Sequence, residues 1–309
     1  LAGLSGLPQK FTDGPCARGM ILLIQGKTLF ETLLLNLMRY TEDEPLPRTG
    51  EDRPAWEMAD PFQDNRTTPR GYLDYLTWQN RRILLFPEET SEGTIVRRMT
   101  LAPGLRLADG ITDPLKPYRR DEKRGLLPLR FSEHRALWRD SATLFNISLP
   151  NSLAPRTLAW LAELVNEGYL PSGMQHTVAL GMANDQAKVE FYRTEHLPLP
   201  LIYLQEQQLI NSLRSDVLGV AEEVAHQLWG AARTMATYVL ALQADSENAH
   251  QPAPEDLNRL TAAWGIERRY WSKLEVPFRL ALEGLPQDRE GTLIHWQSTL
   301  QHTAWEAFD

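Results

Sequence analysis

Eight cations lie between Lys116 and Arg139: Lys116, Arg119, Arg120, Lys123, Arg124, Arg130, Arg135 and Arg139. Asp121, Glu122 and Glu133 oppose them, leaving +5 locally in a chain whose net charge is -8. A basic island in an acidic chain suits a placed contact with a polyanion rather than general stickiness. Tyr118, Phe131 and Trp138 lie among the cations, so charge contacts to a nucleic-acid backbone and stacking on bases are both available. The competing reading is a solvated loop whose arginines pair with acids elsewhere. A second polar cluster, Asn184-Asp185-Gln186, falls between two short apolar runs and reads as the tip of a hairpin.

Other chemistry is hard to find. Gly3-Leu4-Ser5-Gly6-Leu7 is not a nucleophile elbow, because its second glycine comes one place early and no strand precedes it. Gly26-Lys27-Thr28 ends like a phosphate loop but lacks the glycine four residues before Gly26. His134, His176, His196, His226, His250, His295 and His302 make no His-x-x-x-His pair, so no metal site is expected. Cys16, the one cysteine, excludes an intrachain disulfide and a Cys zinc cluster and fits a reducing cytoplasm. The residues alone therefore favour a binding or scaffold protein without cofactor or metal over an enzyme.

The elements that must position these clusters divide the chain of 309 residues in two. Residues 1–204 are nearly neutral, with 25 acids and 24 bases, whereas 205–309 carry 15 acids and 8 bases. In the first part Met20–Ile24 reads as strand and Thr28–Met38 as helix, with Thr28 and Glu31 as a capping box. Residues 41–69 read as a long ordered loop anchored by Trp56, and 81–101 as a hairpin turning near Glu92-Gly93. Pro114, Pro117 and Pro128 forbid a long helix in the basic island.

In the second part Leu213, Val217, Val220, Val224, Leu228, Ala231, Met235, Val239 and Leu242 step by three or four. They predict one helix of roughly 35 residues with that stripe in the core. Three more helices follow: from Pro254, over about 268–282 with a bend at Pro277, and over 290–308. Trp229, Trp264, Trp271, Trp296 and Trp305 are expected in the core. The predicted fold is α+β: a mixed, loop-rich domain over 1–204 and a four-helix bundle over 205–309. No run is long and apolar enough for a membrane span, and no signal peptide is visible.

Three stretches carry a resemblance. They are Gly26-Lys27-Thr28-Leu29-Phe30-Glu31-Thr32-Leu33-Leu34-Leu35-Asn36-Leu37; Asp52-Arg53-Pro54-Ala55-Trp56-Glu57 followed by Tyr75-Leu76-Thr77-Trp78-Gln79-Asn80-Arg81-Arg82; and Tyr118-Arg119-Arg120-Asp121-Glu122-Lys123 leading to Arg135-Ala136-Leu137-Trp138-Arg139. In this order and spacing the chain resembles the large subunit of the type I-E CRISPR Cascade complex, the CasA family. Members carry a longer N-terminal portion, so the sequence is expected to be N-terminally incomplete.

The resemblance implies a non-catalytic subunit that inspects duplex DNA for the protospacer-adjacent motif, largely from the minor groove. It implies a wedge that starts strand separation and a docking site for the helicase-nuclease. Backbone, guide-end-capping and small subunits are the implied partners, with guide RNA contacted indirectly. The motif-contacting lysine matches the pair Lys123 and Arg124, without deciding between them. The wedge matches Asn184-Asp185-Gln186, where Asp185 departs from the amide pattern. A glycine-rich motif-reading loop is implied just before Met20, which makes Gly14, Arg18 and Gly19 further contacts, with Arg119, Arg120 and Lys188 toward backbone or neighbours. A structural adaptor without DNA contact, whose island binds protein or guide RNA, is the alternative.

Overall fold

In the computed structural model the described residues are 19–39, 46, 50–63, 66–147, 154–185, 188–243 and 252–308, with 184, 185, 188, 189 and 243 described by backbone alone. The elements in order are β1 (Met20–Gln25), α1 (Leu29–Leu35), α2 (Tyr72–Leu76), β2 (Arg81–Thr90), β3 (Gly93–Pro103), β4 (Tyr118–Asp121), β5 (Gly125–Pro128), α3 (Ser141–Leu144), α4 (Arg156–Asn166), β6 (Met174–Asp185) and β7 (Lys188–Pro200). The remaining elements are helical: α5 (Gln207–Ser212), a π-helical segment Leu213–Gly219, α6 (Val220–Gln243), α7 (Pro254–Trp264), α8 (Ile266–Lys273), α9 (Glu275–Gly284) and α10 (Arg289–Phe308). The fold is α+β, as its sequence indicates. Two compact units form, one from 1–132, 153–161 and 177–196, the other from 133–152, 162–176 and 197–309. They follow a different line from the 204/205 division suggested by the charge shift.

In the first unit β1 pairs with β6 and β6 with β7, while β2–β3 and β4–β5 are separate two-stranded ribbons. Thr28 caps α1 by accepting the Glu31 N–H at 3.1 Å, and Glu31 reaches back to the Lys27 N–H at 2.6 Å. The first bond satisfies an amide the helix leaves open, and the second ties the residue before the cap back onto the first turn. Asn36 fastens the other end of α1 to β1. Its side-chain oxygen accepts the Ile24 N–H at 2.9 Å and its amide nitrogen donates to the Ile24 carbonyl at 2.7 Å. The apolar side of α1 is exposed at Leu29, Phe30, Leu33, Leu34 and Leu37. Trp56, expected as the anchor of its loop, is 77% exposed, and the neighbouring Ala55 is the buried residue. The segment 81–101 is the expected hairpin, closed by a two-residue loop between Thr90 and Gly93.

The second unit is held by aromatic side chains that bury a ring and donate to a helix carbonyl. Tyr203 donates to Leu282 at 2.8 Å, Tyr270 to Ala221 at 3.1 Å and Trp296 Nε1 to Val217 at 2.9 Å. Each bond satisfies a polar tip that would otherwise be costly inside an apolar core. The long helix departs from expectation in its phase. The π-helical turns admit an extra residue, and the buried positions after Val217 are Leu218, Ala221, Ala225, Leu228, Ala232 and Ala236. Met235 and Leu242, expected inside, are exposed, as are Trp229 and Trp305; Trp271 and Trp296 are buried as expected. The helix expected over 268–282 is instead two helices parted at Leu274. Pro277 sits in the first turn of α9, where a missing N–H removes no intrahelical bond.

A core stripe of alanines leaves no room for larger side chains. Ala232→Leu should lower unfolding stability by about 1–3 kcal/mol through overpacking. Tyr238→Ala, on the exposed side, should stay within about 0.5 kcal/mol. Thermal and urea unfolding of the two variants checks the rotated phase directly.

Candidate nucleic-acid interface

β1 is short, six residues, and both of its edges are used. One edge pairs with β6. On the other side the Met20 N–H donates to the Leu129 carbonyl at 2.8 Å and the Leu22 N–H to the Leu115 carbonyl at 2.9 Å. Leu115 and Leu129 flank the β4–β5 ribbon, so this strand carries that ribbon on one side and the β6–β7 hairpin on the other.

Backbones approach closely where the three meet. Gly19 is buried with φ 89°, and a Cβ there would stand 2.6 Å from Pro128 Cβ and 2.9 Å from the Leu129 oxygen. Only a residue without a side chain fits that conformation and that gap. A Cβ on Gly181 of β6 would meet the Gly19 oxygen at 3.1 Å and Met20 Cα at 3.2 Å.

The β4–β5 register pairs Arg119 with Leu127, Arg120 with Leu126 and Asp121 with Gly125. Glu122, Lys123 and Arg124 form the exposed tip, with Gly125 at φ 76° closing it. Asp121 organises this turn. Its Oδ1 accepts the Lys123 N–H at 3.0 Å and the Arg124 N–H at 2.9 Å. The Lys123 amide, then the Arg124 amide, hold its carboxyl below the usual aspartate range. The turn is thereby set by one local carboxylate that leaves both cationic side chains outward. Arg119, Arg120 and Arg130 are also exposed.

The tip of β6–β7 falls partly outside the described residues. Asn184 and Asp185 end β6 and Lys188 begins β7, while Gln186, Gly14 and Arg18 are not among the described residues. Below the tip, Arg193 of β7 donates to the Ser132 carbonyl at 2.7 Å, pairs with Glu195 at 2.5 Å and covers the Phe131 ring at 5.6 Å.

The basic island does not act as one surface. Residues 116–132 belong to the first unit and 133–139 to the second. Lys116 is buried, with its ammonium 3.7 Å from the Asp113 carboxylate. Arg139 forks onto Glu222 at 2.8 and 3.0 Å and stacks 3.6 Å over the Trp271 ring. Arg135 joins Glu222 at 2.8 Å and Asp140 at 3.0 Å. Trp138 stacks on Phe278 with centroids 4.6 Å apart. The C-terminal end of the island is thus core and ion-pair network, as the reading of paired arginines had it. Its tip remains open to solvent.

Burial opposes charge on Glu222, but the Arg139 hydrogen bonds and the two guanidinium charges outweigh it and keep the carboxyl below its ordinary range. The remaining motif residues also have structural work. Asp52 caps α2 by accepting the Asp74 N–H at 3.0 Å, and fully buried Asp74 is forked by Arg66, whose guanidinium lies 4.7 Å over Trp78. Nothing in a single sequence distinguishes such polar pairs from contacts to a ligand. Among the described residues no group of three His, Cys, Asp or Glu could hold a metal ion. No described helix is long and apolar enough to cross a membrane.

Comparison with known proteins places this arrangement. The family model for CRISPR-associated protein Cse1 matches residues 2–307, and the chain belongs to that family. It is 32% identical over 311 aligned residues to CRISPR-associated protein CasA/Cse1 of Thermus thermophilus, covering 96% of this chain and 57% of that protein. The crystal structure of Thermus thermophilus CasA superposes with a TM-score of 0.72 at 31% identity, covering 96% of this chain and 60% of that one. Cse1 of Thermobifida fusca gives 0.72 at 28% identity, covering 93% and 55%. The chain therefore spans well under two thirds of the length of these relatives.

Two outcomes follow from the geometry. Arg139→Ala should cost about 1–3 kcal/mol, allowing for the part-exposed Glu222, and Arg139→Lys should recover only part of it because an ammonium neither forks nor stacks equally well. Because Glu222 is held below its unfolded value near ~4.3, its contribution is complete at neutral pH and is lost as pH falls below about 4. Unfolding curves at pH 7 and pH 3 test both. Separately, Asp121→Ala should speed amide hydrogen exchange at Lys123 and Arg124, with exchange in the β6–β7 hairpin unaltered.

Proposed function

We propose that this chain acts as the large, non-catalytic subunit of a type I-E guide-RNA surveillance complex and inspects duplex DNA for a short motif beside the target. On this reading it helps open the duplex and recruits the helicase-nuclease, in a cytoplasmic assembly with the backbone, guide-end-capping and small subunits. Guide RNA is then contacted through those neighbours. Membership of the Cse1 family supports the assignment. A chain from a solved CRISPR RNA-guided surveillance complex shares the fold, with a TM-score of 0.60 at 17% identity.

The observation that carries the DNA reading is the Lys123–Arg124 tip. Two cations project from a turn fixed by Asp121, on a ribbon tied to the strand that also carries the Asn184–Gln186 hairpin. Cations at such a tip suit a groove of strongly negative potential, where A·T is told from G·C but A·T is hardly told from T·A. The β6–β7 hairpin is assigned the wedge. Sequence discrimination falls to RNA–DNA pairing, as is known for a different single-protein effector. Gly19, buried under Pro128 and Leu129, fits a role in seating the ribbon.

The exposed apolar side of α1 gives weight to a second reading, a structural adaptor that meets protein rather than DNA. The two separate cleanly. In the assembled complex Lys123→Ala/Arg124→Ala should weaken duplex binding about tenfold or more and lower the dependence of log affinity on log salt by about 1–2. Unchanged affinity together with unchanged motif preference would remove the DNA reading, and crosslinks from the tip to protein or RNA alone would establish the adaptor.

A further inference from the structure

Beneath the β4–β5 ribbon lies a buried polar cluster that no DNA contact uses. Asp113 and Lys116 are each 7% exposed. The Asp113 carboxylate accepts the Leu115 N–H at 2.9 Å, faces the Lys116 ammonium at 3.7 Å and lies near enough to the Tyr75 hydroxyl to disfavour its ionisation. Its own N–H donates to the Tyr118 hydroxyl at 2.6 Å. Burial, and then the neighbouring carboxylate, push the Tyr75 hydroxyl far above its ordinary range, while burial raises Tyr118 against the effect of the Asp113 amide. Both phenols are therefore neutral at every physiological pH.

Tyr118 is the first residue of β4, and the ribbon is only four residue pairs long. So short a ribbon does not hold its own orientation in water. Its β5 end is fixed by backbone: the Leu129 N–H donates to the Pro117 carbonyl at 2.9 Å and the Leu129 carbonyl accepts from Met20 at 2.8 Å. At the β4 end Pro117 has no N–H to give, and the hold there is the Tyr118 phenol on Asp113. Leu115, whose N–H the same carboxylate holds, passes its carbonyl to β1 through Leu22 at 2.9 Å. Asp113 thus holds the root of the ribbon in two ways: its backbone N–H binds the Tyr118 hydroxyl, and its carboxylate fixes Leu115, whose carbonyl reaches β1.

We infer that Asp113 is a positioning residue for DNA recognition: with Tyr118 it sets the direction in which Lys123 and Arg124 leave the surface. A loosened root lets the tip swing, so the two cations lose register with the groove although neither is altered. The inference rests on the DNA reading of that tip.

The test is a double-mutant cycle in the assembled complex, read by duplex affinity across salt concentrations. Asp113→Ala removes the carboxylate that holds the Leu115 N–H and faces Lys116, and leaves the backbone bond to Tyr118. Tyr118→Phe leaves every charge in place and removes only the hydroxyl, which keeps the test sound where Asp113→Ala fails to fold. Each should weaken binding about three- to tenfold and lower the salt slope by about 1, although neither side chain reaches DNA. Added to Lys123→Ala/Arg124→Ala, each should cost less than about twofold more, because the contact it positions is gone. A merely structural loss would reduce the folded fraction and leave the slope unmoved. Wild-type affinity and slope in folded Tyr118→Phe, or full additivity with the tip variant, overturns the inference and leaves the DNA reading standing. If the tip variant itself binds like wild type, the DNA reading falls and this inference falls with it.

Discussion

Strand β1 is the constraint on which the first unit depends. A six-residue strand that spends one edge on β6 and the other on Leu115 and Leu129 has no freedom to shift. A slip of one residue would break both sets of backbone bonds together and bring Gln25 toward positions now filled by buried apolar side chains. The glycines at 19 and 181 are the local cost of that arrangement: a side chain at 19 is excluded, and one at 181 would press on the Gly19 and Met20 backbone. Asn36 adds a side-chain clasp to the same strand, so α1 is fixed by hydrogen bonds where its apolar side contributes little burial.

The second unit solves a different problem. The island's cations that fall in it, Arg135 and Arg139, are paired with carboxylates, and Arg139 lies between a carboxylate and an indole face. Guanidinium suits that place because it bonds in its plane and stacks through its faces. The result is that cations contiguous in sequence are divided between two tasks. Lys116, Arg135 and Arg139 serve the interior, while Lys123 and Arg124 stay in water. Net charge along a chain counts both kinds alike, which is why a segment's charge overstates the field it presents.

Much of the fold was legible in local chemistry. The Thr28 cap, the hairpin over 81–101, the strand at Met20, the helix from Pro254 and the last helix follow from caps, turns and periodicity, and the structure has them. The misses share a cause: they required knowing neighbours. Periodicity could not reveal the π-helical turns, because the sequence continues to offer apolar residues on the old stripe while alanines occupy the new one. Pro277 was taken for a bend, but proline is equally at home in a first turn. Trp56 was taken for an anchor on size alone. At the candidate site the two-cation tip was visible as residues, whereas Asp121 as the organiser of its turn, and Asp113 beneath it, were not. Carboxylates within a basic stretch read as dilution of charge until their hydrogen bonds are seen.

The β2–β3 ribbon has a consequence for how the protein behaves in solution. Ile83 faces Leu101 and Leu85 faces Met99 across one side, Leu84 and Phe86 lie on the other, and all six are exposed. Among the described residues neither strand has a second neighbour. A long ribbon with apolar faces and open edges is a template for pairing between molecules. Pro87, with Glu88, Glu89, Arg97 and Arg98 around the bulge, interrupts that template as gatekeepers do. Here the sequence trades colloidal safety against sticky surface, and substitutions of these four charges would show first as lost solubility rather than as lost fold.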